Sequence, residues 1–215
     1  MSVQIFPSIL AADFLHLSDE IEDIGDADGI HLDIMDGLFV PNISFGPDIV
    51  KSIRSVTRLP LHSHLMIIEP WKYIERFVEA GSDLITVHLE TMKQRPHLLD
   101  VIHDLDVDAG ISFNPDIQIK DAFPVLESVE QVLVMSVFAG FGGQSFIEES
   151  LGRIETLASY RDRTGLTFSI AVDGGVGPAN AASIIDAGAD LLVAGTSVFG
   201  AKDRATRIRD LRGRS

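Results

Sequence analysis

The sequence predicts an α/β fold, a single-domain (β/α)8 TIM barrel spanning residues 1–215. Eight short apolar runs alternate with segments of helical period. Dividing the 215 residues by eight gives about 27 residues for each pair, close to the roughly 30 of a strand–helix–strand unit. A doubly wound open sheet is the alternative for such an alternation, and the eight units favour the closed barrel.

The predicted strands are nearly continuous apolar runs, as expected where both faces of a parallel sheet are buried. They cover residues 3–9, 29–35, 59–66, 84–89, 109–114, 132–137, 167–173 and 191–196.

Six segments between these strands have apolar residues spaced three or four apart, which predicts helices. They are residues 17–24, 71–78, 119–126, 151–158, 178–188 and 205–211. Gly81 stands where the second of them would end. Pro178 fits the start of the fifth and Gly188 its end.

Composition excludes several classes of function. The 32 acidic residues outnumber the 17 basic ones and give a formal net charge of −15, so we expect no nucleic acid or membrane partner. The absence of cysteine excludes a disulfide scaffold, a thiol nucleophile and a cysteine-ligated metal. No signal-peptide pattern follows Met1 and no long apolar run is present, which favours a cytoplasmic protein.

Polar residues cluster at the carboxyl ends of four predicted strands, where barrels place their chemistry. Residues two apart on a strand point to the same face, so three strands each direct a polar pair one way. Imidazole with carboxylate suits a divalent transition metal, and burying so many ionisable groups is costly unless a cation neutralises them. The residues are His31 and Asp33, His62 and His64, His88 and Glu90, and Asp173.

Glycine-rich segments follow the last three predicted strands. They are residues 140–143, residues 174–175, and Gly195 with Thr196. Glycine lets backbone amides approach phosphate oxygens closely, and barrels often bind phosphate with the loops after their last strands. The sequence therefore predicts a phosphorylated small molecule as the ligand.

Several longer motifs suggest a family. They are PSILAADF (residues 7–14), HLDIMDGLFVPN (31–42), HLM (64–66), VHLE (87–90), GFGGQSF (140–146), VDGGV (172–176) and AGTSVFGAKD (194–203). In this order and over nearly the whole chain, they resemble the ribulose-phosphate 3-epimerase family. The resemblance implies an enzyme that interconverts D-ribulose 5-phosphate and D-xylulose 5-phosphate, an isomerase of carbohydrate metabolism in the pentose phosphate pathway.

The resemblance also implies roles for individual residues. The metal ligands would be His31, Asp33, His64 and Asp173, with Asp33 and Asp173 as the catalytic acid and base. The metal would be one divalent ion (Zn, Fe(II), Mn or Co), with no organic cofactor. Family members often assemble, so a homo-oligomer is expected.

The remaining implied contacts are to the substrate. Met35, Met66 and Met135 would cap the reacting carbons. Substrate and phosphate would contact Ser8, His64, Gly140, Phe141, Gly142, Gly143, Asp173, Gly174, Gly175, Val176, Gly195 and Thr196.

The sequence departs from the usual family pattern at three places. Phe138-Ala139 replaces an Asn-Pro pair, His62 replaces an Asp, and Thr196 replaces a Ser. The first two changes leave open a 3-epimerase of another ketose phosphate, of the allulose 6-phosphate type. A non-catalytic phosphosugar-binding relative is a further alternative, which the intact Asp33 and Asp173 pair argues against.

Overall fold

The computed structural model describes residues 2–213, and within them eight parallel β-strands form one sheet. The strands are β1 (Gln4–Phe6), β2 (Ile30–Met35), β3 (Leu61–Met66), β4 (Leu84–His88), β5 (Asp108–Phe113), β6 (Gln131–Met135), β7 (Ser169–Asp173) and β8 (Leu191–Val193). They follow one another in chain order around the sheet, and β8 lies beside β1.

The chain just beyond β1 closes the sheet against β2. Ser8 pairs with His31 in a parallel bridge, and the His31 amide donates to the Pro7 carbonyl at 3.0 Å. Closure pairs what would otherwise be two open sheet edges. The predicted (β/α)8 TIM barrel is therefore confirmed.

Residue 1 and residues 214–215 lie outside the described part of the chain, so the extent of the domain over 1–215 stays a prediction.

Helices connect the strands. The α-helices within residues 2–213 are α1 (Leu17–Glu22), α2 (Pro47–Val56), α3 (Ile74–Glu79), α4 (Leu89–Met92), α5 (Leu98–His103), α6 (Ser150–Thr164), α7 (Ala181–Asp186), α8 (Thr196–Phe199) and α9 (Arg204–Leu211). Short 3-10 helices cover Ile9–Ala11, Phe14–His16, Pro70–Lys72, Ile119–Asp121 and Phe123–Ser128. In the described residues, no helix combines the length and apolar character needed to cross a membrane.

The ends of several predicted elements are wrong. β1 stops at Phe6 because the Ser8 hydroxyl accepts a hydrogen bond from the Leu10 amide and begins a 3-10 helix. β8 stops at Val193, and Thr196 begins α8 instead. The predicted helix at residues 119–126 is replaced by two short 3-10 helices, and Pro124, which has no amide hydrogen, cannot supply a hydrogen bond to a continuous α-helix.

The six predicted helical segments do not include α2, α4, α5 and α8. Two of these, α4 and α8, have only four residues each, too few for a helical period to show. The signal for α2 is present in the sequence: Pro47 starts the helix, and the buried Val50 and Ile53 are three residues apart. Pro178 lies before α7, which begins at Ala181.

Alternate residues of each strand face the barrel interior. Phe6, Leu133, Ala171, Leu191 and Val193 pack together there and fill the part enclosed by β1, β6, β7 and β8. A larger apolar layer lies between the sheet and the helices. The polar strand residues of β2, β3 and β4 are therefore largely removed from water, and they need polar partners within the protein.

The close contact between Gly29 and Phe6 gives a test of this packing. A Cβ at residue 29 would lie 2.2 Å from Phe6 Cε2, and Phe6 is only 2% exposed. We expect Gly29→Ala to lower the free energy of unfolding by about 1–3 kcal/mol, the usual result of overpacking a core, measured by urea denaturation.

The matched control is Gly152→Ala in α6, where the added Cβ would have no atom within 4 Å beyond its chain neighbours and the backbone of its own helix. It should raise stability by up to about 1 kcal/mol, because alanine favours helix over glycine. Equal urea midpoints for the two variants would contradict this account of the interior.

Candidate active site

Four ionisable side chains meet at the carboxyl end of the barrel. His31 and Asp33 come from β2, His64 from β3 and Asp173 from the end of β7. Each offers one ligand atom, and these atoms all lie within 4.8 Å of one another. The register of β2 and β3 explains part of this, because Asp33 is paired with His64.

Asp33 lies at the centre of the group. Its Oδ1 is 3.4 Å from His31 Nε2 and 3.4 Å from His64 Nδ1. Its Oδ2 accepts a 2.5 Å hydrogen bond from the Ser8 hydroxyl. The second carboxylate is more distant, with Asp173 Oδ2 4.0 Å from His31 Nε2.

Burial and neighbouring charges shift the pKa values of Asp33 and Asp173 in opposite directions. Burial opposes ionisation of Asp33, but its contacts with His31 and His64 outweigh that effect and hold the pKa of Asp33 well below its usual range. Burial and the negative charge of Asp33 raise the pKa of Asp173 to about 7, against the attraction of His31. At neutral pH one group is thus a carboxylate while the other readily carries a proton, an arrangement typical of acid–base pairs.

These four residues fit a divalent metal ion. His31 Nε2 is buried and has no hydrogen-bond partner in residues 2–213, although it points at two carboxylates. Two imidazole nitrogens with carboxylate oxygens form a donor set that suits zinc, iron, manganese or cobalt. A cation there would also offset the repulsion between Asp33 and Asp173.

His88 and Glu90 lie behind the cluster. His64 Nε2 is 2.8 Å from His88 Nε2, and His88 Nδ1 is 3.4 Å from Glu90 Oε2. Glu90 Oε1 also accepts hydrogen bonds from the amide and the side chain of Asn114. No sequence motif predicts a role for Asn114, which ends a predicted strand.

His62 does not join the metal cluster. Its ring lies against Phe6, with 4.3 Å between the ring centroids, and its Nδ1 is 3.5 Å from the Gln131 side chain. Burial, together with the charge of His31, lowers the pKa of His62 to about 3. It is therefore a neutral residue of the barrel interior.

A cavity of about 620 Å³ opens above the cluster. Its lining includes every substrate contact that the family resemblance implies except His64, together with Asp33 and the three methionines. His31 and His64 are fully or almost fully buried beneath it. The predicted residues that line it are Ser8, Asp33, Met35, Met66, Met135, Gly140, Phe141, Gly142, Gly143, Asp173, Gly174, Gly175, Val176, Gly195 and Thr196.

Three further polar residues line the cavity without having been predicted, and two of them, Asn42 and Gln144, bind the loop after β6. The Asn42 side chain donates to the Gly140 carbonyl at 2.8 Å, and the Gln144 side chain donates to the carbonyls of Phe138 and Phe141. Both hold the loop at residues 138–144 in place. Their positions within HLDIMDGLFVPN and GFGGQSF were the available signal.

The glycine pair after β7 has a backbone that other residues rarely adopt. Gly174 and Gly175 have φ values of 114° and 63°. A Cβ at residue 175 would lie 2.4 Å from the Phe146 amide nitrogen. Both glycines are therefore required for the backbone to line this side of the cavity.

Comparison with known sequences identifies the family. The profile of the ribulose-phosphate 3 epimerase family matches residues 4–199. The chain belongs to the ribulose-phosphate 3-epimerase family. Ribulose-phosphate 3-epimerase of Bacillus subtilis (strain 168) is 44% identical over 214 residues, which cover 98% of this chain and 99% of that protein. The chloroplastic ribulose-5-phosphate-3-epimerase of Arabidopsis thaliana is 45% identical over 213 residues, covering 97% and 75%.

Family membership confirms the resemblance read from the motifs, and the chain is an epimerase. Solved structures of lower identity share its fold. KGPDC from Streptococcus mutans has a TM-score of 0.75 at 14% identity, covering 99% of this chain and 96% of that one. 3-Hexulose-6-phosphate synthase from Salmonella typhimurium has a TM-score of 0.68 at 14% identity, covering 97% and 96%.

The raised pKa of Asp173 predicts a gain in stability on its replacement. In the metal-free protein, folding raises the pKa of this carboxyl from its ordinary value of 3.8 to about 7. The stabilisation from the protonated form is therefore complete below pH 4 and lost as the pH rises through 7. We expect Asp173→Asn, measured with a chelator present, to melt at least about 5 °C above the natural protein at pH 8.

The difference in melting temperature between Asp173→Asn and the natural protein should shrink toward pH 5, where folded Asp173 is protonated. Asp186→Asn on the exposed face of α7 removes the same charge and should change the melting temperature little. A difference that is constant from pH 5 to pH 8 would show that Asp173 ionisation is not its cause.

Proposed function

We propose that the chain interconverts D-ribulose 5-phosphate and D-xylulose 5-phosphate by moving a proton at C3, with Asp33 and Asp173 as the acid–base pair. The observation that carries this proposal is the pair of carboxyl groups that two separate strands bring together at the base of the cavity. Epimerisation removes a proton from one face of C3 and returns one to the other, so it needs two such groups.

The positions of the two aspartates support this assignment. Asp33 is on β2 and Asp173 on β7, with β1 and β8 between them in the ring of strands. They therefore approach the cavity from different sides of the barrel mouth. One aspartate, as the carboxylate, can accept the C3 proton on its face while the other, as the carboxylic acid, returns a proton to the opposite face, and the roles reverse for the reverse reaction.

We propose that His31, Asp33, His64 and Asp173 hold one divalent ion. Such an ion, when bound, supplies Lewis-acid stabilisation of negative charge on the substrate oxygens at C2 and C3. The ligand set suits Zn, Fe(II), Mn or Co. Met35, Met66 and Met135 line the same end of the cavity and are buried, so they exclude water from the reacting carbons.

The glycine-rich rim supports binding of the phosphate group. Gly143, Gly175 and Gly195 line the cavity without side chains that would keep an anion away from the backbone. Amide groups of such loops bind phosphate oxygens, and Ser8 and Thr196 add hydroxyl groups. A phosphate held there would position the C3 carbon of the sugar above the two aspartates.

The loop after β6 favours one alternative, a ketose phosphate with a longer carbon chain. Phe138 is 52% exposed at the cavity, and Ala139 packs beside Met35 and Met66. The small Ala139 side chain leaves room beside the reacting end of the sugar. A homo-oligomeric assembly stays a prediction from the family, and a cytoplasmic location stays a prediction from the sequence.

Solvent exchange tests the proposed reaction. In deuterated water the protein should incorporate deuterium at C3 of ribulose 5-phosphate, because the abstracted proton exchanges with solvent. A chelator should abolish the exchange and a divalent metal should restore it. Absence of C3 exchange in metal-supplemented protein, measured by proton NMR, would reject the proposal.

Replacement of one aspartate tests its role. Asp173→Asn should lower kcat by at least about 100-fold, as expected on loss of a general acid or base. Asp186→Asn serves again as the control of equal charge change. An undiminished rate for Asp173→Asn, with folding verified by circular dichroism, would remove Asp173 from the mechanism.

Substrate length tests the alternative. If the five-carbon assignment is right, kcat/KM for ribulose 5-phosphate should exceed that for allulose 6-phosphate at least tenfold. The reverse order would favour the longer ketose phosphate. Tight binding of both without turnover would favour a non-catalytic binding protein.

A further inference from the structure

A line of polar side chains runs from the metal cluster across β3, β4 and β5. His64 Nε2 lies 2.8 Å from His88 Nε2, and the two rings are nearly coplanar, with 18° between their planes. The ring centroids are 4.9 Å apart, so the rings meet edge to edge, as an N–H···N hydrogen bond requires. Both side chains are completely buried, so water does not compete for this bond.

Glu90 occupies the far end of this line. His88 Nδ1 and Glu90 Oε2 face each other at 3.4 Å, and neither atom has another hydrogen-bond partner in the described part of the chain. The other carboxylate oxygen, Oε1, accepts from the Asn114 amide at 3.2 Å and from its side chain at 2.9 Å. Asn114 thus holds Glu90 so that Oε2 is directed at His88.

When the rings of His64 and His88 are neutral, one assignment of hydrogen-bond donors and acceptors satisfies all of these contacts. A carboxylate only accepts hydrogen bonds, so Glu90 favours the His88 form with the proton on Nδ1. His88 Nε2 then carries a lone pair and accepts from His64 Nε2–H. His64 Nδ1 is left with its lone pair toward Asp33 Oδ1, 3.4 Å away, which is the form that a metal ligand must have.

We propose that Glu90 is a positioning residue that, through His88, keeps His64 Nδ1 unprotonated and directed at the metal cluster. The inference rests on the proposed function, because it assumes that this cluster binds a metal. It assigns a role to Glu90, His88 and Asn114, which do not line the cavity. These residues orient the proposed metal ligand His64 from the side of its ring that faces away from the metal cluster.

The substitution Glu90→Gln removes the negative charge and one acceptor oxygen of this side chain but keeps its size. The two donors of Asn114 require an acceptor, so the glutamine carbonyl oxygen faces Asn114 and its NH2 group faces His88 Nδ1. This NH2 group favours the opposite form of both rings, which places a proton on His64 Nδ1. We expect the dissociation constant of Co²⁺, followed by visible absorption, to rise about 10–100-fold.

Glu155→Gln is the matched control, because Glu155 lies on the exposed face of α6. It should leave Co²⁺ affinity unchanged. A Glu90→Gln protein that binds Co²⁺ within twofold of the natural protein would overturn the relay and leave the proposed function standing. A natural protein that takes up no Co²⁺ would contradict both.

A second measurement uses the natural protein, so it does not depend on the folding of a variant. Two-bond proton–nitrogen correlation spectra of the full chain loaded with Zn²⁺ distinguish protonated from bare ring nitrogens. We expect His88 to carry its proton on Nδ1 and His64 on Nε2. A His88 ring protonated on Nε2 would overturn the proposal, because Glu90 would then not be its acceptor.

Discussion

Closure of the sheet between β1 and β2 determines the geometry of the barrel mouth. The bridge between Ser8 and His31 joins the first and second strands, and it brings β2 into the same ring as β7. Only then do Asp33 and Asp173 lie within reach of the same two histidines. The Ser8 hydroxyl adds a direct bond to Asp33, so the residue that closes the ring also orients a carboxylate of the site.

The cost of burying charge explains the organisation of the polar interior. The side of the barrel interior near β1, β6, β7 and β8 is apolar, so ionisable groups on β2, β3 and β4 have little water to solvate them. They are instead arranged in sequence: Asp33 contacts two histidines, one of these contacts His88, and His88 faces Glu90. The like charges of Asp33 and Asp173 remain a source of instability that a bound cation would relieve.

The net charge of −15 does not conflict with an anionic substrate. Part of the acidity lies far from the cavity on α1 and the turn after it, where Glu20 and Asp23 pair with Arg204, and Asp26 pairs with Arg209. At the cavity, backbone amides of glycine-rich loops and a cation site face the ligand. Local donors rather than overall charge therefore govern the recognition of a phosphate.

The sequence by itself determined the eight strands, the polar pairs at the carboxyl ends of β2, β3 and β4, and the glycine loops. These follow from local rules, because the side-chain period of a strand and the conformational freedom of glycine act over a few residues. The long motifs added the family and, through it, the expected ligand set. Local rules were less successful for the ends of β1 and β8, where a serine cap and a new helix intervene.

Only the tertiary structure decided which polar residues meet. His62 and His64 have the same spacing as His31 and Asp33, yet His62 packs on Phe6 while His64 joins the cluster. Asn114 carries no motif of its own and holds Glu90 only because β4 and β5 are neighbours. Such contacts join residues 24 to 140 positions apart, as in Asn114 with Glu90 and Asp173 with Asp33. They depend on strand register and ring closure, which no short stretch of sequence contains.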